Sequence, residues 1–494
     1  MSEKEIIDLQ LENDSLKEQI KARDEVINAR DLSIYNLQKS IEGKAISMQR
    51  RNIHAAVPQY THRKVMSLKN GLHPIRLYFL GKNTVREFKR NGFMGVVRRV
   101  GHLLGLSGTV DSLTVYWSRL KRAMIPQRTK VYGKKAKIAY VIPDVKISGG
   151  VAIVLQHANR LKKRGYDVQL LTFSKETDIL WFTNEVPVRS VLSIRKSELS
   201  KIDVMIATHW STAFWVDLSN APRRMYFVQS DERRFNPENK AEINSITTTY
   251  QMDIEFITEA KWIQAWLKDE FNKDVYYVPN GLDETIFFSD ETPQKDTKKS
   301  RVLLEGPIDF WFKGMENAYQ AVRDLDCDIW IISSHGKPKS DWRYDKFFEN
   351  VPMSSMREIY SSCDIFLKMS YMEGFFGPPM EAMACGCAVV VGKVTGYDEY
   401  IVDTYNALVV EQGDVAGARA AVQRLINDAS MRKSLIDNGH ETVKEWGWDH
   451  SVDLLEEVIA GDSIKKYYES GTIGQYIYHE EMNRLEQVKK LMKS

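Results

Sequence analysis

Between residues 137 and 391, short apolar runs alternate with helical stretches, and the series occurs twice. The first has strand-like runs at 138–142, 168–173, 204–207, 225–228, 255–258 and 275–278, with helices at 151–164 and 260–271. The second has runs at 302–304, 329–333, 365–369 and 388–391, with helices at 315–325 and 354–362. Strands that are apolar throughout must be covered on both faces, and helices alternating with them supply the cover, so the sheets should be parallel. The pattern predicts two Rossmann-like, doubly wound α/β domains in tandem, at 135–292 and 300–446, joined by the polar, lysine-rich stretch 293–300. In such sheets ligands sit beyond the carboxyl ends of the strands.

What flanks the two domains reads differently. Residues 6–48 repeat in sevens, with Ile6, Asn13, Ile20, Ile27, Ile34, Ile41 and Met48 at a, and Leu9, Leu16, Arg23, Arg30, Leu37 and Lys44 at d. Isoleucine at a with leucine at d favours a parallel two-stranded coiled coil, so 1–48 is expected to make a homodimer. A trimer, or one helix lying on its own domain, remains open. Residues 49–134 read as a basic helical connector of short helices broken at Pro58, Gly71, Pro74, Gly81, Gly92, Gly101 and Gly105, and 447–494 as a C-terminal helical tail.

Charge is concentrated in the connector. Residues 50–137 hold 20 Lys and Arg against Glu87 and Asp111, whereas the whole chain is only +3. Interleaved with aromatic and aliphatic residues, such a block suits an anionic membrane surface of lipid headgroups, or polyphosphates; plain solvated helices are the bland alternative. No recognisable nucleic-acid reading motif accompanies it, so no nucleic acid is expected as partner. No apolar run approaches the ~20 residues of a membrane span, and the charged start Met-Ser-Glu-Lys-Glu lacks a signal-peptide core. A cytoplasmic location is expected, free or peripheral at the inner face of the plasma membrane. Four scattered cysteines, Cys327, Cys363, Cys385 and Cys387, fit reduced thiols there.

The chemistry is concentrated in Glu373-Gly-Phe-Phe-Gly-Pro-Pro-Met-Glu381-Ala-Met-Ala-Cys-Gly386, just before the run at 388–391. Phe375, Phe376 and Gly377 would present backbone N–H groups at the positive end of a short helix, a place suited to a diphosphate, and proline costs nothing in its first turn. Glu381 would lie about one turn in, within reach of a ribose. Glu373 precedes the turn, within reach of a transferred hexose. A capped surface helix with two solvated glutamates has the same spacing.

Residues 137–460 resemble a family 4 glycosyltransferase, a retaining enzyme of the GT-B architecture, most strongly from 371 to 414. Beyond Glu373 and Glu381 the resemblance rests on Val278-Pro-Asn280-Gly281-Leu-Asp283, on Lys313-Gly314, and on Asn406-Ala-Leu-Val-Val with Gly413-Asp414. It implies that Glu381 binds a nucleotide ribose, Glu373 a sugar hydroxyl and Lys313 the diphosphate. Gly149 and Gly150 would bring backbone close to diphosphate and acceptor, and His209, in Ala207-Thr208-His209-Trp210, would lie near the reacting sugar. A nucleotide sugar would be the donor, with no other cofactor. The acceptor would be a glycan or a lipid-linked sugar of surface polysaccharide synthesis. The long N-terminal extension is similar to that of rhamnosyltransferases using a deoxythymidine diphosphate sugar.

Two departures weigh against a simple transfer of roles. Many family members place a Gly-Arg pair shortly before the lysine, but this chain reads Glu305-Gly306-Pro307, and Val-Ala-Ile follows Gly150. Asp324-Leu-Asp326 and Asp326-Cys-Asp328 mimic a metal-binding Asp-x-Asp, yet fall where a helix-to-strand turn is expected, so no essential metal is expected. A nucleotide-sugar epimerase on the same architecture, or a non-catalytic scaffold assembling partners through the coiled coil, are the competing readings.

Overall fold

The computed structural model describes residues 107–124, 129–289 and 298–461, which belong to one compact unit. The heptads at 6–48, the residues at 293–297 and the end of the chain from 462 lie outside the described residues, as does most of the connector.

Two parallel sheets carry the described chain. The first has seven strands: β1 Lys137–Ile142, β2 Asp167–Thr172, β3 Val188–Ser190, β4 Val204–Ala207, β5 Arg223–Val228, β6 Glu255–Thr258 and β7 Val275–Tyr277, in the order 3-2-1-4-5-6-7. The second has six: β8 Arg301–Glu305, β9 Asp328–Ser333, β10 Lys346–Glu349, β11 Ile365–Lys368, β12 Ala388–Gly392 and β13 Leu408–Val410, in the order 10-9-8-11-12-13. Each sheet grows outward from its first strand, then reverses. The reversal creates a switch point, between β1 and β4 in one sheet and between β8 and β11 in the other, where loops diverge and leave a crevice.

The strands β1, β4, β5, β8, β11 and β12 are buried almost throughout, which is why their sequences carry apolar runs, interrupted mainly by charged residues at the strand ends. The short edge strands β3, β10 and β13, partly exposed, give no such signal and were not anticipated. Each sheet is sandwiched between two apolar layers formed with its helices.

Two flanking segments belong to the first domain. The helix Ser107–Met124, read as connector, buries Val110 and Val115 and packs beside the helices Trp210–Leu218 and Lys240–Tyr250. The helix Trp448–Ala460, read as the start of a tail, inserts Val452, Leu455, Val458 and Ile459 into the core around β1. Arg223 fastens it, donating to the carbonyls of Val458 and Ile459 at 2.9 Å each. The chain thus crosses between domains twice. At the crossing Leu282 N–H donates to Trp446 O at 2.6 Å, and a Cβ on Gly281 would sit 2.6 Å from the Trp448 backbone, so only glycine fits.

Candidate active site

The loops that carry the expected site residues follow the four strands flanking the two switch points. Gly149 and Gly150 come after β1, His209 after β4, Lys313 after β8 and Glu373 after β11.

Lys313 closes a single helical turn, Trp311–Lys313, and Gly314 follows at φ 63°. A Cβ on Gly314 would lie 1.9 Å from the Met369 carbonyl oxygen. Glycine is therefore required twice over, for the left-handed backbone and for the approach to the end of β11. That approach sets the Lys313 ammonium 2.9 and 2.8 Å from the two carboxylate oxygens of Glu373. Burial alone would raise the Glu373 pKa; Lys313 and Lys368 outweigh it and hold the carboxyl below its ordinary range.

Glu381 lies on the helix Gly377–Ala384, whose first turn contains Pro378 and Pro379. Tyr360 OH donates to its Oε2 at 3.1 Å. Burial, and next the Glu305 carboxylate, push its pKa up to about 7. It lines a cleft between the domains with about 420 Å³ of empty space, part of it open to solvent, together with Phe375, Gly377, Gln156 of the helix Gly149–Lys163, and Asn280.

Lys313 and Glu373 do not line that cleft. Around the loop that carries Glu373 the two domains pack directly against each other. Gln229, just beyond β5, lies with its side-chain amide against Gly150, where a Cβ would be 3.0 Å from it, and with its Nε2 3.4 Å from Thr208 O. Its backbone oxygen is so close to Gly374 that a Cβ there would be at 1.8 Å. The glycine loop, the strand end before His209 and the glutamate loop therefore converge on one glutamine. Gly149 has open space where a Cβ would go, so the protein alone imposes no steric need for glycine there.

The expected seat of backbone N–H groups is partly occupied. Phe375 N–H donates to Glu259 Oε1 at 3.2 Å, and Gly377 N–H turns back to Phe375 O at 3.1 Å. In this arrangement neither of those two amides faces an open anion site, contrary to the sequence expectation. A glutamate from the first domain has taken the Phe375 donor.

His209 caps the helix Trp210–Leu218. Its Nδ1 accepts from Ser211 N–H at 3.2 Å, which leaves Nε2 directed at Glu232 Oε1, 3.6 Å away. Glu232 also accepts from Tyr226 OH and from Trp210 N–H, and burial raises its pKa. His209, at the end of β4, is thus faced by the largely buried Glu232 carboxyl from the turn after β5.

Three further groups escaped the sequence reading. Glu259 follows β6 directly and also accepts from Asn280 Nδ2 at 3.0 Å; burial pushes its pKa up to about 8. Gln229 holds the equivalent place after β5. Lys368, at the end of β11, is buried, with its ammonium 2.6 Å from Glu305 Oε2 and 2.9 Å from Glu305 O. A lysine inside the apolar run 365–369 was a legible anomaly. The first two are polar residues at strand ends, a signal weak without the strand order.

Asp324 pairs with Arg419 at 3.1 Å and Asp326 with Lys299 at 2.5 Å, so both serve surface ion pairs. Among the described residues no group of three His, Cys, Asp or Glu is placed to hold a metal ion, and no helix is long and apolar enough to cross a membrane.

Residues 346–442 match the family model of glycosyl transferases group 1. An uncharacterized glycosyltransferase of Methanocaldococcus jannaschii is 27% identical over 201 residues, 37% of this chain and 56% of its own length. The N,N'-diacetylbacillosaminyl-diphospho-undecaprenol alpha-1,3-N-acetylgalactosaminyltransferase of Campylobacter jejuni is 30% identical over 177 residues, 34% of this chain and 45% of that protein. The chain spans about half the length of the curated relatives it matches. Among solved structures, Anabaena HepE in complex with UDP and glucose superposes with a TM-score of 0.56 at 13% identity, covering 66% of this chain and 100% of that one. At that identity the likeness shows the fold, the two-domain GT-B arrangement.

Proposed function

We propose that this chain, which carries a group 1 glycosyltransferase domain over residues 346–442, is a retaining enzyme that moves a hexose or deoxyhexose from a nucleotide-diphosphate sugar to a glycan or lipid-linked acceptor in surface polysaccharide synthesis. The observation that carries this reading is the Lys313–Glu373 pair at the switch point of the second sheet, with Glu381 in the adjoining interdomain cleft.

In this reading the roles follow from charge. An ammonium has three N–H donors. With two on Glu373, Lys313 keeps one for a phosphoryl oxygen. Negative charge grows on the diphosphate as the glycosidic bond breaks, so that interaction strengthens toward the transition state. Glu373 meets a sugar hydroxyl and Glu381 the ribose. The acceptor oxygen bonds to the anomeric carbon on the face from which the diphosphate departs, and its proton passes to a phosphate oxygen. His209, held by Glu232, orients hydroxyls of the reacting sugar. The cationic partner missing at Pro307 is not replaced by Lys368, whose ammonium is committed to Glu305.

The acceptor class is supported by the relative whose name specifies a diphospho-undecaprenol sugar, and the donor class by the neighbour bound to UDP and glucose. A deoxythymidine diphosphate rhamnose donor remains one arm of the test. A lipid-linked acceptor places the enzyme at a membrane surface. On the helix Ser107–Met124, Leu113, Tyr116 and Trp117 are exposed at a spacing that puts them on one face, within the basic stretch 50–137. The heptads at 6–48 would join two copies; sedimentation with and without that segment tests it.

Thermal stabilisation by a panel of uridine, thymidine, guanosine and adenosine diphosphate sugars tests the function. A ligand at a hundredfold its dissociation constant adds about 2.7 kcal/mol. Binding of one nucleotide class, followed by acceptor-dependent release of its diphosphate, is the expected result. Turnover without acceptor would indicate an epimerase. No binding would favour the scaffold reading, which the occupied Phe375 amide and the missing arginine recommend.

A further inference from the structure

Side chains of the first domain bond directly to the loop Glu373–Gly377, and one of them is a buried carboxyl. Glu259 is 4% exposed, with Oε1 accepting from Phe375 N–H and Oε2 from Asn280 Nδ2. Around it the same loop is gripped along its length. Trp262 Nε1 donates to Gly374 O at 2.8 Å, and Arg234 donates at 3.0 Å to Thr395 Oγ1, which donates to Glu373 O at 3.3 Å. Glu259, Trp262 and Arg234 come from the first sheet's domain, and the loop from the second.

We propose that Glu259 is a positioning residue for sugar transfer, the group through which the acceptor domain sets the donor loop. The inference rests on the glycosyltransferase reading. Glu373 on that loop holds Lys313, so a shift of Phe375 is passed to both groups that face sugar and diphosphate. Reaction rates fall steeply with small errors in such placement. The Phe375–Glu259 bond exists only when the two domains are closed, so it ties the geometry of the donor loop to the presence of the acceptor domain.

A buried carboxyl beside the acids Glu373 and Glu399 is a costly way to bind the Phe375 and Asn280 amides, which argues that its position is used. The site also tolerates a neutral group. Asn280 Oδ1 is buried without a partner. If the Asn280 amide turns over, that oxygen can accept from a protonated Glu259, while the other Glu259 oxygen still accepts from Phe375 N–H. Glutamine can do the same, and alanine cannot.

The test uses the full chain with Glu259→Gln, Glu259→Ala and Glu259→Asp. Three quantities are read: hydrogen exchange of the segment 374–379, whose only amide donors precede Pro378; affinity for uridine and thymidine diphosphates; and diphosphate release from the nucleotide sugar that the panel identifies. Glu259→Ala is expected to speed exchange in that segment and to lower kcat at least about tenfold, with nucleotide affinity within about threefold of wild type, because that affinity resides in the second domain. Glu259→Gln should match wild type in all three. Glu259→Asp, which withdraws the carboxylate by one methylene, should behave like alanine, and decides the matter if the alanine variant does not fold. Unchanged exchange or unchanged kcat in the alanine and aspartate variants overturns the proposal. So does a glutamine variant as impaired as alanine, or a gain in nucleotide affinity, which would make Glu259 a competitor for the anion seat. Wild-type protein that binds neither diphosphate nor any panel member defeats the glycosyltransferase reading, and this inference with it.

Discussion

The Lys313 ammonium reaches both carboxylate oxygens of Glu373 across sixty residues of sequence, at 2.9 and 2.8 Å. The pair joins the loops after β8 and β11, neighbouring strands at the point where the sheet order reverses. Strand order brings them together, and Gly314 permits the final approach.

Replacing Lys313 should therefore strike catalysis. Lys313→Ala is expected to lower kcat/KM by about 10²- to 10³-fold, the scale of losing one preorganised partner of a developing anion. The loss should fall on kcat more than on KM for the donor. Unchanged diphosphate release in a folded variant would remove Lys313 from the site.

Glu381 gives a pH signature. With its pKa pushed up to about 7, the carboxyl is protonated on the acid side and accepts ribose hydrogen bonds best when ionised. Donor KM should rise as pH falls through about 7. In Glu381→Gln that acid limb should vanish and KM should stay high at every pH. Profiles of KM from pH 5.5 to 9 check this.

Buried carboxyls should also shape stability. Glu259 is raised to about 8, and Glu399 to about 7, chiefly by burial, from an ordinary 4.5. Between their unfolded and folded values the native state binds more protons, so stability is greatest on the acid side and falls as pH rises through that window. Glu259→Gln should become progressively more stable relative to wild type from about pH 4.5 to 8. Urea melts at five pH values would show a flat difference if the carboxyl is not buried as described.

Gly314 and Gly374 should reject a methyl group for different reasons. Gly314→Ala adds left-handed strain and a contact at 1.9 Å within one domain, so a loss of about 3 kcal/mol or more is expected in its unfolding free energy. Gly374→Ala instead strikes the Gln229 backbone of the other domain. It should leave each domain folded while loosening their closure, seen as faster hydrogen exchange around Phe375 and Trp262 with little change in the strand amides.

The exposed face of the helix Ser107–Met124 should bind lipid. Replacing Tyr116 and Trp117 together by serine removes two exposed rings without touching the buried Val110 and Val115. Retention on anionic vesicles should drop at least about tenfold while nucleotide affinity is unchanged. Equal retention would place the membrane contact elsewhere.

The amino-acid sequence alone determined the class of fold. Short apolar runs such as 302–304 and 388–391, alternating with helical stretches, point to strands covered on both faces and so to parallel sheets. It also pointed to Glu373 and Glu381, because a Gly/Pro turn between two glutamates is a local signal, whereas Lys313 came from the family resemblance that Lys313-Gly314 carries. The edge strands β3, β10 and β13 were not legible, since a half-exposed strand of three or four residues lacks a period to read.

Only the tertiary structure decided how the parts meet. Gln229 and Glu259 are single polar residues at strand ends, and their importance comes from what the other domain places against them. The Phe375 amide looks available in the sequence; only the packing of the second domain on the first shows the Glu259 carboxyl already there. The helix Trp448–Ala460 was legible as a helix but not as part of the first domain's core, because periodicity reveals that a face is apolar and never says what covers it.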